Sequence, residues 1–302
     1  MNFFNILDQL SEVDADVLGR FDSRRAVFSS LGTLAQRTAL ATTPLFLSGL
    51  FQKAYAGTAS TALEVLQYAL TLELFEQDFY AKVKASMPYA GASAADRAAI
   101  DQIKAHEDAH VVLLRTAITG LGGTPVASAP FKQAEFNKLT TFNGPFTGSM
   151  PTSQLGMAQL LEDTGVRAYK GRAAELLGTT LLTTALQIHS VEARHAAKIR
   201  LMRGQKPWVN PGDDLAAHPV YTSGVTGPTS TTTPFGYGIP AYDSAKPSSR
   251  EDNTIQANMP ITTALLTAPA TYSVAEAAAS FDEALQAAEV IDASRAGGLI
   301  GA

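Results

Sequence analysis

Two stretches of this chain repeat one another in where they place acids and imidazoles, and that repeat restricts the folds open to it. Leu72-Glu73-x6-Tyr80 recurs as Leu161-Glu162-x6-Tyr169, and Glu107-x-x-His110-x4-Arg115 recurs as Glu192-x-x-His195-x4-Arg200. The order is Glu, ExxH, Glu, ExxH. Ile100, Ile103, Glu107, His110, Leu114, Ala117 and Leu121 follow one another three or four apart, as do Leu181, Ala185, Ile188, Glu192, His195, Ile199 and Met202. That is the apolar stripe of a helix. Glu73 falls in line with Leu66, Leu70, Gln77 and Tyr80, and Glu162 with Leu155, Ala158, Gly165 and Tyr169. Four carboxylates and two imidazoles are therefore predicted to face one core.

The punctuation around these stripes predicts four helices over 61–203. Thr61-x-x-Glu64 reads as a capping box and Ser93-x-x-Asp96 as its weaker form,. Between the second and third helices lie Gly122-Gly123, Pro125, Pro130, Gly144-Pro145 and Pro151, too much turn chemistry for a tight hairpin,. A long crossover in an all-α four-helix bundle fits it. Beyond Pro207 the composition turns to Thr, Ser, Pro and Gly, which reads as an extended arm, and Ser273-x-x-Glu276 opens a final helix expected to reach about Ser294,. The expected organisation is an N-terminal segment over 1–56, the bundle over 57–204, and over 205–302 an arm ending in a helix. Trp208, Tyr221, Phe235, Tyr237 and Tyr242 give the arm apolar anchors, so it is expected to dock on the bundle or bridge subunits.

Burying an unpaired carboxylate costs several kcal/mol, and four together also repel. The core stripe is sensible only with cations in it or with shifted protonation. Two divalent ions would bring +4 against −4. The chain has no Cys, so a metal must be held by His and carboxylates, a donor set that suits Mn and Fe. With a net charge of −5 and no basic run, the sequence lacks the footprint of a nucleic-acid binder,.

One Glu from each of two helices with Glu-x-x-His from each of the other two is the pattern of carboxylate-bridged two-metal bundles. On these motifs the stretch 61–203 resembles the ferritin-like di-iron and di-manganese carboxylate superfamily. Glu251-Asp252-Asn253 and Ala279-Ser280-Phe281-Asp282-Glu283 resemble, more narrowly, the bacterial and plant ferritin-like proteins called desiccation-related. The resemblance implies two Fe or two Mn ions, or a mixed pair. Glu107 and Glu192 would bridge or chelate, Glu73 and Glu162 would be terminal ligands, and His110 and His195 would each give one nitrogen. It implies a protein acting on O2 or H2O2 as an oxidase, ferroxidase or catalase-like enzyme. The alternative is a non-catalytic stress-related or scaffold protein whose metal is structural. A homo-oligomer, assembled through bundle faces or the arm, is expected.

Other residues have plainer readings. Glu76 and Asp78 are expected at the surface, Glu76 being the only competitor for the role that the duplication gives to Glu73, and His106 and His189, outside the repeat, at the surface or behind the ligands. Tyr80 and Tyr169 pack the core, hydrogen-bond a ligand carboxylate or carry a radical. Arg115 and Arg200 either pair with carboxylates behind the ligands or lie at the surface. Trp208 is expected to anchor the arm. Ser23-Arg24-Arg25-Ala26-Val27-Phe28, ahead of an apolar stretch closing at Ala54-Tyr55-Ala56, resembles a twin-arginine export signal and implies a periplasmic or extracytoplasmic protein,. A docked pair of helices in a cytoplasmic protein is the other reading. Only 15 residues separate Arg37 from Lys53, short of the roughly 20 that span a bilayer, so no membrane anchor is expected.

Overall fold

Three of the four long helices start on a short polar side chain that accepts from a free amide, while the last, Leu181–Met202, follows Thr180 with no such bond,. In this computed structural model, which describes residues 61–132, 146–147, 153–222, 239–245, 248–256, 259–260 and 273–300, Thr61 and Glu64 form a reciprocal capping box at the head of α1 (Ala62–Lys84). After a single turn, α2 (Met87–Ala90), Ser93 caps α3 (Ala94–Gly120) by accepting from the Asp96 amide. Gly122, at φ +78°, takes the left-handed conformation just past the end of α3,. Ser153 caps α4 (Gln154–Arg172), a 3-10 turn follows over Ala173–Leu176, and α5 (Leu181–Met202) completes the bundle. Strand structure among the described residues amounts to the antiparallel pair β1 (Ile255–Gln256) and β2 (Met259–Pro260) and an isolated bridge between Phe131 and Ile300. The fold is all-α.

Cross-helix contacts give the direction of every helix. Gln77 bonds Asp108 and Lys84 pairs with Asp101, so α1 and α3 are antiparallel. Arg200 to Asp163 and Arg203 to Gln159 make α4 and α5 antiparallel. Tyr80 to Glu162 and Tyr169 to Glu73 set α1 against α4, and Glu107 to His195 and His110 to Glu192 set α3 against α5, both antiparallel. It follows that α3 and α4, consecutive long helices, run the same way. Their connection must climb the bundle, about 28 Å at 1.5 Å per residue of α4, which is why it is long. Its described parts pack on α1: Gln67 of α1 bonds the Thr124 carbonyl and the Val126 amide, and the Phe131 ring lies tilted against Phe75 and edge-on to Phe79. Residues 133–145 and 148–152 lie outside the described residues, as do Phe235, Tyr237 and all of 1–60 with its arginine pair and small-residue site.

The chain after α5 is wrapped on α4, whose side chains are buried on nearly every face. Arg167 of α4 is the main clamp: it donates to the carbonyls of Val220, Ser249 and Glu283 and pairs with Glu251 at 2.8 Å. The two short motifs of the arm meet at this point. Glu251 accepts from the Glu283 amide, and Asn253 donates to the Glu283 side chain. Tyr221 is buried and bonds Asp163. Trp208, in contrast to its expected anchoring role, is 50% exposed beside Lys206.

The last helix also differs from expectation. Ser273 and Glu276 form the expected box, but α6 spans only Val274–Ala278, and a second short helix, α7 (Ala287–Val290), follows an extended passage. Tertiary contacts override the helix-forming composition here: the Leu285 amide donates to the Arg167 carbonyl, and a continuous helix could not lie that close,. Gly171 permits the approach, since a Cβ there would sit 2.0 Å from the Leu285 carbonyl oxygen. Gly171→Ala should cost about 2 kcal/mol or more and expose 273–300 to limited proteolysis; an unchanged melting curve and digestion pattern would contradict this packing. No helix among the described residues is long and apolar enough to cross a membrane.

Candidate metal centre

The stripes of all four long helices converge at mid-bundle, and their polar members meet there. Glu73 comes from α1, Glu107 and His110 from α3, Glu162 from α4, and Glu192 and His195 from α5. All six are buried. They form two quartets, Glu73/Glu107/His110/Glu192 and Glu107/Glu162/Glu192/His195, and within each the donor atoms lie within 4.8 Å of one another. Glu107 and Glu192 belong to both.

Around His110 Nδ1 stand Glu73 Oε2 at 3.0 Å, Glu192 Oε1 at 3.1 Å and Glu107 Oε2 at 3.3 Å. Around His195 Nδ1 stand Glu107 Oε1 at 2.9 Å, Glu162 Oε2 at 3.2 Å and Glu192 Oε2 at 3.4 Å. One N–H cannot serve three carboxylates. The spacing is that of neighbouring ligands on one ion, which at about 2.1 Å from a metal sit about 3.0 Å apart. Glu107 Oε1 and both oxygens of Glu192 are buried without a well-formed hydrogen bond, facing the two imidazole Nδ1 atoms that three carboxylates each share, a costly state for a carboxylate unless a cation takes them up. The orphans are on the two shared residues. The donor set therefore fits metal ions, and the buried Glu and His groups could hold them.

Without an ion, protons must balance the charge. Burial would lower His110, but Glu107, Glu192 and Glu73 outweigh it and push it up to about 12. His195 is raised in the same way by Glu162, Glu107 and Glu192 against the effect of burial. Burial raises Glu107 well above the ordinary carboxylate range, with Glu192 and Glu73 adding to it, and takes Glu162 up to about 7. Glu192, facing both imidazoliums, falls to about 2 although burial opposes it. Metal uptake must displace these protons.

Both tyrosines pack in the core and bond carboxylates of the cluster. The Tyr80 hydroxyl donates to Glu162 Oε1 and the Tyr169 hydroxyl to Glu73 Oε1, so each outer carboxylate is held from the opposite helix. Burial, then the neighbouring carboxylates, raise both phenols well above their usual value and keep them donors. His106 lies behind the ligands: its Nδ1 is 2.9 Å from His195 Nε2, the rings stack, and its own Nε2 reaches Gln102 on the exposed face of α3. His189 instead bonds the Val166 carbonyl. Arg200 pairs with buried Asp163 and with Asp213, whereas Arg115 reaches only the Ala127 carbonyl near the surface. Because a partner behind a metal-binding His orients it, His106→Ala should leave the number of bound ions unchanged while weakening affinity about 10- to 100-fold. Metal titration checks both.

Glu76 corrects the surface expectation. It is 3% exposed, next to the cluster, and burial followed by Glu192, Glu162, Glu107 and Glu73 raises its pKa well above the usual value. Asp78 is half-buried, accepting from the Phe131 amide and pairing with Lys82. In the duplicated frame the position matching Glu76 is Gly165, and a Cβ at Gly165 would lie 3.5 Å from Glu76 Oε1 and 3.7 Å from Glu192 Oε2. One half of the repeat supplies a fifth carboxylate and the other half supplies its space. The duplication carried this signal, since Gly165 occupies the core stripe with no side chain.

No curated protein matches the chain. A family model described as a ferritin-like domain matches residues 61–205, the stretch that holds all four long helices and all six clustered residues. Over these residues the chain carries a ferritin-like domain.

Proposed function

We propose that the domain holds two Fe or two Mn ions, or a mixed pair, and acts as an oxidoreductase on O2 or H2O2. The observation that carries this is the sharing of Glu107 and Glu192 between two quartets, with orphaned oxygens on those same two residues. Glu107 and Glu192 would hold both ions, Glu73 and His110 one, and Glu162 and His195 the other. When bound, the ion pair supplies two electrons, which with two protons take O2 to H2O2 or H2O2 to two waters. The chain's own residues fix and enclose the centre. Tyr80 and Tyr169 hold the outer carboxylates by their second oxygens, His106 orients His195, and burial keeps bulk water out. Protein loaded with two ions should consume O2 as the ferrous form or release O2 from H2O2 as the manganous form, read with an oxygen electrode. No turnover by either form at full occupancy would favour a structural metal.

A further inference from the structure

At the end of the bundle where α1 and α5 begin and α3 and α4 finish, packing leaves a cavity of about 30 Å³. Its inner wall is continuous with the metal centre. Leu72 directly precedes Glu73, Leu114 stands one turn beyond His110, Ile188 one turn before Glu192, and Tyr169 carries the hydroxyl that donates to Glu73. Its outer wall includes half-buried Ala117 and Leu181 and exposed Leu113, so it opens toward solvent at the bundle end. The lining is almost wholly aliphatic and aromatic. Arg172, also in the wall, lies over the Tyr68 ring and is tied to Glu175 by two bonds of 2.9 Å, leaving Nη1 without an acceptor among the described residues.

Size and chemistry together select the occupant. One water needs about 10–15 Å³ and two to four polar partners, while an apolar cavity of about 150 Å³ takes benzene and stays dry. This cavity has room for a diatomic molecule and too little for a ring, and Thr184 and Arg172 are the polar exceptions in a wall that is otherwise almost wholly apolar. Hydrogen peroxide would leave most of its hydrogen bonds to water behind, and such a wall replaces few of them. We propose that the cavity is a docking site for molecular oxygen and the last stage of its route to the carboxylate cluster. The delivery role rests on the reading of the centre as a metal site, whereas the docking itself does not. At the centre, O2 would take two electrons from a ferrous pair and two protons, leaving as H2O2 with the pair ferric.

Xenon, an apolar atom of similar size, tests the docking on metal-free protein. Crystals under xenon pressure should show one atom among Leu72, Leu114 and Ile188, and Ala185→Leu, which fills the cavity from α5, should abolish it. Ala117→Leu at the rim serves if the deeper change impairs folding. In iron-loaded protein with unchanged iron content, either variant should slow oxidation by O2 about 10-fold and oxidation by H2O2 less than about 2-fold. No xenon site, or equal slowing by both oxidants, or no slowing, overturns the proposal. Xenon binding in a chain that takes up no iron would overturn the metal centre and the delivery role while leaving apolar docking in place.

Discussion

Glu192→Ala is expected to take bound metal from two ions per chain to one or none, and Glu107→Ala to do the same, because each carboxylate belongs to both quartets. Glu73→Ala or Glu162→Ala, each touching one quartet, should leave one ion tightly held. Glu76→Gln should leave two, since Glu76 is in neither group. Elemental analysis beside circular dichroism separates loss of metal from loss of fold. Two ions per chain in both shared-residue variants would end the two-metal reading.

The second large effect is on stability and runs with pH. The Glu162 carboxyl titrates at about 7 in the folded chain against an ordinary value of 4.5, so the metal-free native state holds a proton that the unfolded chain gives up across that window. Stability from this group is full below about pH 4.5 and is lost as pH rises to 7, by about 3 kcal/mol. Glu76 and Glu107 are raised and act in the same direction. Glu192, lowered to about 2, stabilises above 4.5 and loses that contribution only as pH falls below it. His110, raised to about 12, keeps its contribution below 6.5 and loses it above. Metal ions replace the protons and remove the penalty at neutral pH. Chelation should therefore lower the melting temperature by about 10 °C or more at pH 7 and far less at pH 5. Equal melting of the two forms at pH 7 would show that these residues are not a buried metal cluster.

The helices and the buried polar cluster were legible because a helix writes its buried face into the sequence every three or four residues, and three polar side chains stood in that face in each half of the repeat. Glu76 was weighed against Glu73 and set aside, because an acid one position away from an apolar stripe looks like a surface charge. Only its match to Gly165 reveals the space made for it. His106 has no counterpart in the repeat, and its contact with His195 depends on how α3 and α5 cross, which periodicity does not encode. The arm's composition announced an extended segment, but its path is set by single long-range contacts. Arg167 with three carbonyls and Gly171 under Leu285 leave no local pattern. For the same reason the alanines after Ser273 suggested one long helix where α4 requires two short ones.

Each quartet draws three of its donors from one hairpin and the fourth from the other. Glu73, Glu107 and His110 come from the first hairpin and complete their quartet only with Glu192 of the second; Glu162, Glu192 and His195 complete theirs only with Glu107 of the first. Each hairpin is thus three-quarters of a chelator and lends its fourth donor to the other. An isolated half of the domain can offer an ion no full set, so metal uptake would be an event of joining and not of either half's folding. Ions held there would act as rivets between two copies of one helical unit, and the long crossover would be the tether that keeps the copies at hand until they are driven in.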